Sequence, residues 1–279
     1  MKIVLELPTN SWKELQAIRA IAEQTVGEDI CWAIFLNGDE FSVKDELATT
    51  NLLARFGILA ITDPCVSMTE LRLRAHAIGE EFAADFRIWI DGDFEFKRDW
   101  IEFIQSACID MERFRSLSGK DCYLSMGTSF GDVRPFRTTR VSQHKFFFAT
   151  DCGIIMPKVP LISQLEILPG GFEEGYLTAF WFCNGLVPLI KRNSPLRHKK
   201  ADIKATFDDI HSREIWFDNN ERLVRELFAD ESWRMNPYNF RVFPRRQRDK
   251  LLRLCDELST DTRMHEFFSS AYLKQRIGF

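Results

Sequence analysis

The sequence predicts an α/β domain: a mainly parallel sheet flanked by helices, followed by a C-terminal helical appendage. Three observations lead there. Apolar runs of strand length alternate with helical-period segments through the first third of the chain. Several strands run straight into polar turns: Pro8-Thr9-Asn10-Ser11, Asn37-Gly38-Asp39 and Asp91-Gly92-Asp93. After about Asp202 the alternation gives way to charged sequence of helical period.

Taken in order, residues 2–7 (KIVLEL) form the first strand, and Pro8 to Ser11 break it and offer helix N-caps. A helix is expected over 12–24, where Trp12, Leu15, Ile18 and Ala22 recur at helical spacing. Residues 30–36 (ICWAIFL) make a second buried strand, 43–56 a helix, 57–62 (GILAIT) a third strand and 67–82 another helix. The fourth strand, 86–90, opens the stretch FRIWIDGDFEF. A helix over 100–117 follows, then strands at 121–126 and 145–149 with a basic loop between them (Arg134, Arg137, Arg140), and a short strand at 153–157. A turn at 168–171, a helix at 173–183 and a strand at 186–191 complete the alternating part. Helices are then expected over 215–229, 244–258 and 263–277. With no repeat and no low-complexity linker, the division is 1–201 for the alternating domain and 202–279 for a helical extension packed on it.

Composition narrows the class. The chain has 279 residues, 45% hydrophobic and 28% charged, the balance of a soluble globular protein large enough for a sizeable core. A net charge of −4 speaks against the whole molecule being a polyanion binder. Seven cysteines with no CxxC pair suggest reduced thiols and a cytoplasmic location. No apolar run reaches the ~20 residues of a membrane span, and the N-terminal residues lack the apolar core of a signal peptide.

The chemistry concentrates at Asp91-Gly92-Asp93. Two carboxylates at the end of an apolar strand repel unless something positive sits between them. Strand ends in α/β sheets face the ligand crevice, and a hard divalent cation seeks oxygen ligands of this kind while sharing its remaining positions with phosphates. The competing reading is a solvated surface turn.

The order KIVLELPTN, FLNGD, ELRLRAHAIGEEFAADFRIWIDGDFEF and then PGGFEEG resembles the GT-A fold glycosyltransferases, close in pattern to family 2. The likeness spans roughly residues 1–192 and lies in the order of the motifs. Two turns depart from the pattern: NGD stands where an acidic pair is usual, and EEG stands for Glu-Asp. The resemblance implies a GT-A catalytic domain over 1–201. It implies metal-dependent transfer of a sugar from a nucleotide diphosphate donor, expected to be a UDP-sugar, to a hydroxyl, with inversion expected. It further implies metal ligation by Asp91, Asp93 and a late histidine, His198, with Mn2+ or Mg2+ as cofactor. Donor contacts are implied for Pro8, Thr9, Asn37, Arg74, Asp91 and Gly92. The catalytic base would be Glu174 or its neighbour Glu173, and which of the two acts stays open. At a helix start either carboxylate is held as the anion; both also fit a purely structural helix-dipole role.

Three basic segments stand against the acidic whole: 134–145, 191–200 and 241–250. Aromatics interleave the last, so DNA enters as a candidate acceptor, through a hydroxylated base. Solvated faces and ion pairs between tail and domain are the simpler reading. A non-catalytic module that binds a nucleotide-sugar or nucleic acid is the other alternative. A nucleotidyltransferase is disfavoured, because PTNSWKEL lacks the glycines that would cradle a triphosphate. An acceptor saccharide or other hydroxyl compound is the expected second substrate, and self-association is left open.

Overall fold

The computed structural model describes residues 1–9, 12–25, 28–36, 58–62, 81–90, 92, 94–126, 153–157, 181–191, 194–198, 222, 225–226 and 245–268. Nine strands lie among the described residues: β1 Ile3–Thr9, β2 Ile30–Leu36, β3 Ile58–Thr62, β4 Phe86–Trp89, β5 Phe94–Phe96, β6 Cys122–Ser125, β7 Ile154–Pro157, β8 Val187–Ile190 and β9 Leu196–His198. The helices are α1 Trp12–Ala22, α2 Trp100–Ser118, α3 Arg245–Thr260 and α4 Thr262–Phe268. A 3-10 turn, Glu23–Thr25, closes α1 where the sequence predicts helix through 24.

Seven strands form one sheet in the order β3-β2-β1-β4-β7-β6-β8, and β5 and β9 form a second, two-stranded sheet. β3, β2, β1 and β4 are mutually parallel. β7 runs antiparallel to both its neighbours, and β6 and β8 are parallel to each other. This is the mainly parallel sheet the sequence predicts, with one reversed strand. The four residues of β4 are all buried, as expected for a strand covered on both faces.

The two faces of the sheet differ in kind. Ile3, Leu5 and Leu7 of β1, Trp32 of β2 and Ile88 of β4 share one face and join a core with Leu15 and Ile18 of α1 and Ile104, Met111 and Phe114 of α2. Fully burying each such side chain contributes roughly 1.5–3 kcal/mol. The register sends the alternate residues to the other face, where charge is buried. Arg87 pairs with Val4, and Trp89 with Glu6. Glu6 and Arg87 are almost completely inaccessible.

α2 ends in an αL C-cap: Gly119 has φ 69 and its N–H donates to the Arg115 carbonyl at 2.8 Å. α4 packs on α2 through an edge-on contact between Phe114 and Phe267, centroids 5.9 Å apart. Leu258, Met264 and Phe267 belong to the same core.

Two expectations are corrected. The basic segment holding His198, for which no strand is expected, contains strand β9, and the residues after Asp93 form a strand of their own, β5. The helices expected over 43–56, at 67–80 and at 173–180, the strand 145–149 and the turn 168–171 lie outside the described residues. So does most of the helix expected over 215–229, although residues 222, 225 and 226 are helical.

Candidate active site

The strand order fixes where a ligand crevice can open. From β1 the chain builds outward to β2 and β3, then returns to lay β4 on the other side of β1. β1 and β4 therefore flank the topological switch point, and parallel sheets bind ligands beyond the carboxyl ends of the strands there. The carboxyl end of β1 is Pro8-Thr9. At β4, Ile90 extends the pairing by donating its N–H to the Glu6 carbonyl at 3.0 Å. Asp91-Gly92-Asp93 follows at once. β2 ends alongside, with Leu36 the register partner of Thr9 and Asn37 next in the chain. Three of the polar segments singled out in the sequence thus leave neighbouring strands at one end of the sheet.

The downstream side of the aspartate pair is anchored by aromatic packing. Phe96 of β5 lies 5.0 Å from Trp100 and 6.1 Å from Trp32, and the two tryptophans are 5.9 Å apart. The Trp100 indole N–H donates to Gln24 Oε1 at 3.0 Å, and that of Trp32 donates to Thr25 Oγ1 at 3.1 Å. Such tilted and edge-on aromatic contacts add roughly 0.5–1.5 kcal/mol each beyond burial. They hold β5, and with it the exit of the DGD turn, against α2 and β2.

β9 reaches the same place from far along the chain. It pairs antiparallel with β5, with Phe94 opposite His198, Glu95 opposite Arg197 and Phe96 opposite Leu196. The Lys97 N–H donates to the Pro195 carbonyl at 3.0 Å and extends the pairing. His198 therefore sits, by backbone register, one position from Asp93.

Thr9 is buried, and its hydroxyl donates to Glu14 Oε2 at 2.8 Å, so its side chain links β1 to the first turn of α1. Pro8 is paired with Phe35. Gly92 is half-buried in the turn between β4 and β5. Asp91, Asp93, Asn37, Arg74, Glu173 and Glu174 lie outside the described residues, and His198 is described by its backbone only. Among the described residues, no group of three His, Cys, Asp or Glu side chains is placed to hold a metal. The donor set the sequence offers, two carboxylates and an imidazole, suits Mn2+ or Mg2+; the β5–β9 register sets the His198 backbone opposite Phe94.

The sequence assigns no role to Glu6 or Arg87 and marks Lys191 only as the start of a basic segment. Lys191 follows β8 and donates from Nζ to Asp110 Oδ2 and Ser106 Oγ, both at 2.7 Å, while lying 5.4 Å from the Phe103 ring centroid. Lys250 of α3 stands 5.0 Å from the Phe182 ring centroid. These two members of the basic segments are engaged within the protein. The detectable signal for Glu6 and Arg87 was a charge inside an otherwise apolar strand.

No family model and no curated protein matches this chain. Solved structures do. S. aureus TarS 1–349, in complex with UDP-GlcNAc, superposes with a TM-score of 0.56 at 12% identity, covering 99% of this chain and 78% of that one. The mannosyltransferase PcManGT from Pyrobaculum calidifontis, in complex with GDP-Man and Mn2+, gives 0.53 at 10% identity, covering 100% and 76%. At this identity the likeness is one of fold, and the fold is GT-A.

Proposed function

We propose that this GT-A protein is a metal-dependent glycosyltransferase that moves a sugar from a nucleotide diphosphate sugar, a UDP-sugar by preference, to a hydroxyl acceptor with inversion. The observation that carries the reading is the strand order at the switch point: β4, just ahead of the DGD segment, ends beside β1, and β9 sets the His198 backbone opposite Phe94. Full-length likeness to a UDP-GlcNAc complex and to a GDP-Man and Mn2+ complex supports it.

In this reading Asp91, Asp93 and His198 hold Mn2+ or Mg2+, which when bound would offset the charge developing on the leaving diphosphate. Pro8, Thr9 and Asn37 line the nucleoside side, Thr9 through its backbone because its hydroxyl is committed to Glu14. Arg74 and Gly92 border the diphosphate. Glu174 or Glu173 accepts the proton of the attacking hydroxyl as the new bond forms. One base opposite the leaving group gives inversion.

The internal engagement of Lys191 and Lys250 favours a saccharide or other small hydroxyl compound over DNA as acceptor. Four described cysteines are free thiols, which suits a reducing cytoplasm. No helix among the described residues is long and apolar enough to cross a membrane.

The test is the melting temperature with UDP, with and without Mn2+, in the wild type and in Asp93→Ala. A ligand that binds only the folded state must raise it. A manganese-dependent rise, lost in the variant, is expected; no rise with UDP, GDP or other nucleoside diphosphates would overturn the reading. Glu174→Gln and Glu173→Gln then separate the base, which should abolish transfer while leaving donor binding in place.

A further inference from the structure

The chain from Lys191 to His198 is tied down at both ends, and the two anchors are consecutive elements. At its start, the Lys191 N–H donates to the Ser125 carbonyl at 2.9 Å, continuing the pairing of β8 with β6. The Lys191 side chain then reaches across to α2. There it meets Phe103, Ser106 and Asp110, which recur at helical spacing and so form one stripe of the helix. At its end, the segment pairs with β5, the strand just before α2. Between the anchors, the Leu196 N–H donates to Ser194 Oγ at 3.1 Å and the Leu196 side chain enters the core.

The lysine is an unusual anchor. Its side chain is 12% exposed and that of Asp110 18%. Immobilising a lysine costs rotamer entropy, and withdrawing the ammonium from water costs more. A hydroxyl, a carboxylate and an aromatic face together satisfy it. A loop that needed only to reach the next strand would not require this.

We infer that Lys191 is a positioning residue: its clamp onto Phe103, Ser106 and Asp110 fixes the start of the segment that leads to β9, so that β9 pairs with β5 in the register that sets His198 opposite Phe94, the residue after Asp93. The function assigned to this pairing rests on the glycosyltransferase reading above; the clamp itself does not. Losing the ammonium frees the start of the segment, leaves Asp110 without its counter-charge and lets β9 fray from β5. In the glycosyltransferase reading, His198 would then be presented less often to a bound metal.

Two measurements on the full-length protein test this. The first needs no ligand: amide hydrogen exchange of residues 94–98 and 195–198 in wild type, Lys191→Met, Asp110→Asn and Lys191→Arg. About tenfold faster exchange is expected in the first two variants, with α4 unchanged and partial rescue by arginine. Wild-type exchange in Lys191→Met overturns the inference, as does faster exchange spread evenly over the molecule. The second is Mn2+ affinity in the presence of UDP. Lys191→Met should weaken it roughly tenfold, the scale of losing a partner that orients a ligand, and should cost nothing further in a His198→Ala background. Full additivity overturns a role exerted through His198. Absence of Mn2+ binding by the wild type removes the glycosyltransferase reading and the link to the metal, while the exchange result still decides whether the clamp exists.

Discussion

Phe94 and His198 are register partners in the two-stranded antiparallel sheet, so the residue after Asp93 lies across from a histidine that arrives from the far side of the fold. Slipping an antiparallel pair by one residue sends every side chain to the opposite face. The pairing is held in place: Phe96 packs against Trp32 and Trp100, and Leu196 is buried. His198→Ala is expected to weaken Mn2+ binding at least as much as the roughly 10- to 100-fold typical of losing an outer partner, and to leave UDP able to stabilise the protein at saturating metal. Asp93→Asn should remove metal-dependent stabilisation altogether. Isothermal titration with Mn2+ at fixed UDP reads both. Wild-type affinity in His198→Ala would take the histidine out of the site.

A second prediction concerns the charged layer under the sheet. Val4 pairs with Arg87 and Glu6 with Trp89, so Glu6 and Arg87 are diagonal neighbours on one face of adjacent parallel strands. Diagonal Cβ atoms are about 7–8 Å apart or less, within reach of side chains this long. Both residues are buried. Where two buried charges compensate each other, removing one typically costs about 3–5 kcal/mol, because the other stays behind in low dielectric; whether Glu6 and Arg87 do so is what the double variant reads. Arg87→Met should therefore destabilise strongly, and Glu6→Gln with Arg87→Met should cost clearly less than the sum of the single changes. Urea denaturation of the four proteins gives the coupling energy. Strict additivity would show that the two charges are satisfied independently.

How far the sequence reveals this molecule follows from the range of each interaction. β1, β2, β3 and β4 are legible because a central parallel strand is a run of apolar residues and needs no partner to be recognised. α2 is legible through its period and its stop at Gly119. β5 and β9 are not, because each is three residues long and only one register, between segments remote in the chain, makes them strands. His198 was singled out by the resemblance, and Asp91 and Asp93 by their spacing, yet nothing local shows where the segment of His198 lies relative to theirs. Lys191 reads as one more cation in a basic run, since its cage is built from a helix much earlier in the chain.

A third prediction uses a strained backbone position. Ala83, exposed and just ahead of β4, has φ 49, the left-handed region where a Cβ crowds the following carbonyl oxygen. That conformation costs an L-residue about 1–2 kcal/mol. Glycine removes the clash but gains freedom in the unfolded chain worth about 0.4–1 kcal/mol. Ala83→Gly should therefore stabilise by about 0.5–1 kcal/mol, whereas Ala83→Val should destabilise. Chemical denaturation at constant m-value checks both, and a loss of stability in the glycine variant would contradict the strain argument.

The last prediction concerns Cys108 and Cys122. Burial pushes both thiols well above their ordinary range; Glu112 adds to this at Cys108 and Asp121 at Cys122, against smaller opposing effects of Lys191 and Arg115. The Cys122 thiol also donates weakly to the Met111 carbonyl at 3.9 Å. The thiolate is the reactive form, so neither residue should be alkylated by iodoacetamide in the native protein at about pH 8, and both should label fully in urea. Peptide mapping by mass spectrometry distinguishes them from the other cysteines. The same shifts couple to stability. Below the ordinary thiol value of 9.0 both states bind the proton and the contribution is intact. Above it the unfolded chain releases protons that the folded one keeps, so stability falls with rising pH until the raised native value is reached. Cys108→Ala and Cys122→Ala should each show a shallower decline above that pH, whatever constant offset the lost packing adds. A slope identical to wild type in both variants would mean that the buried thiols do not drive the alkaline loss.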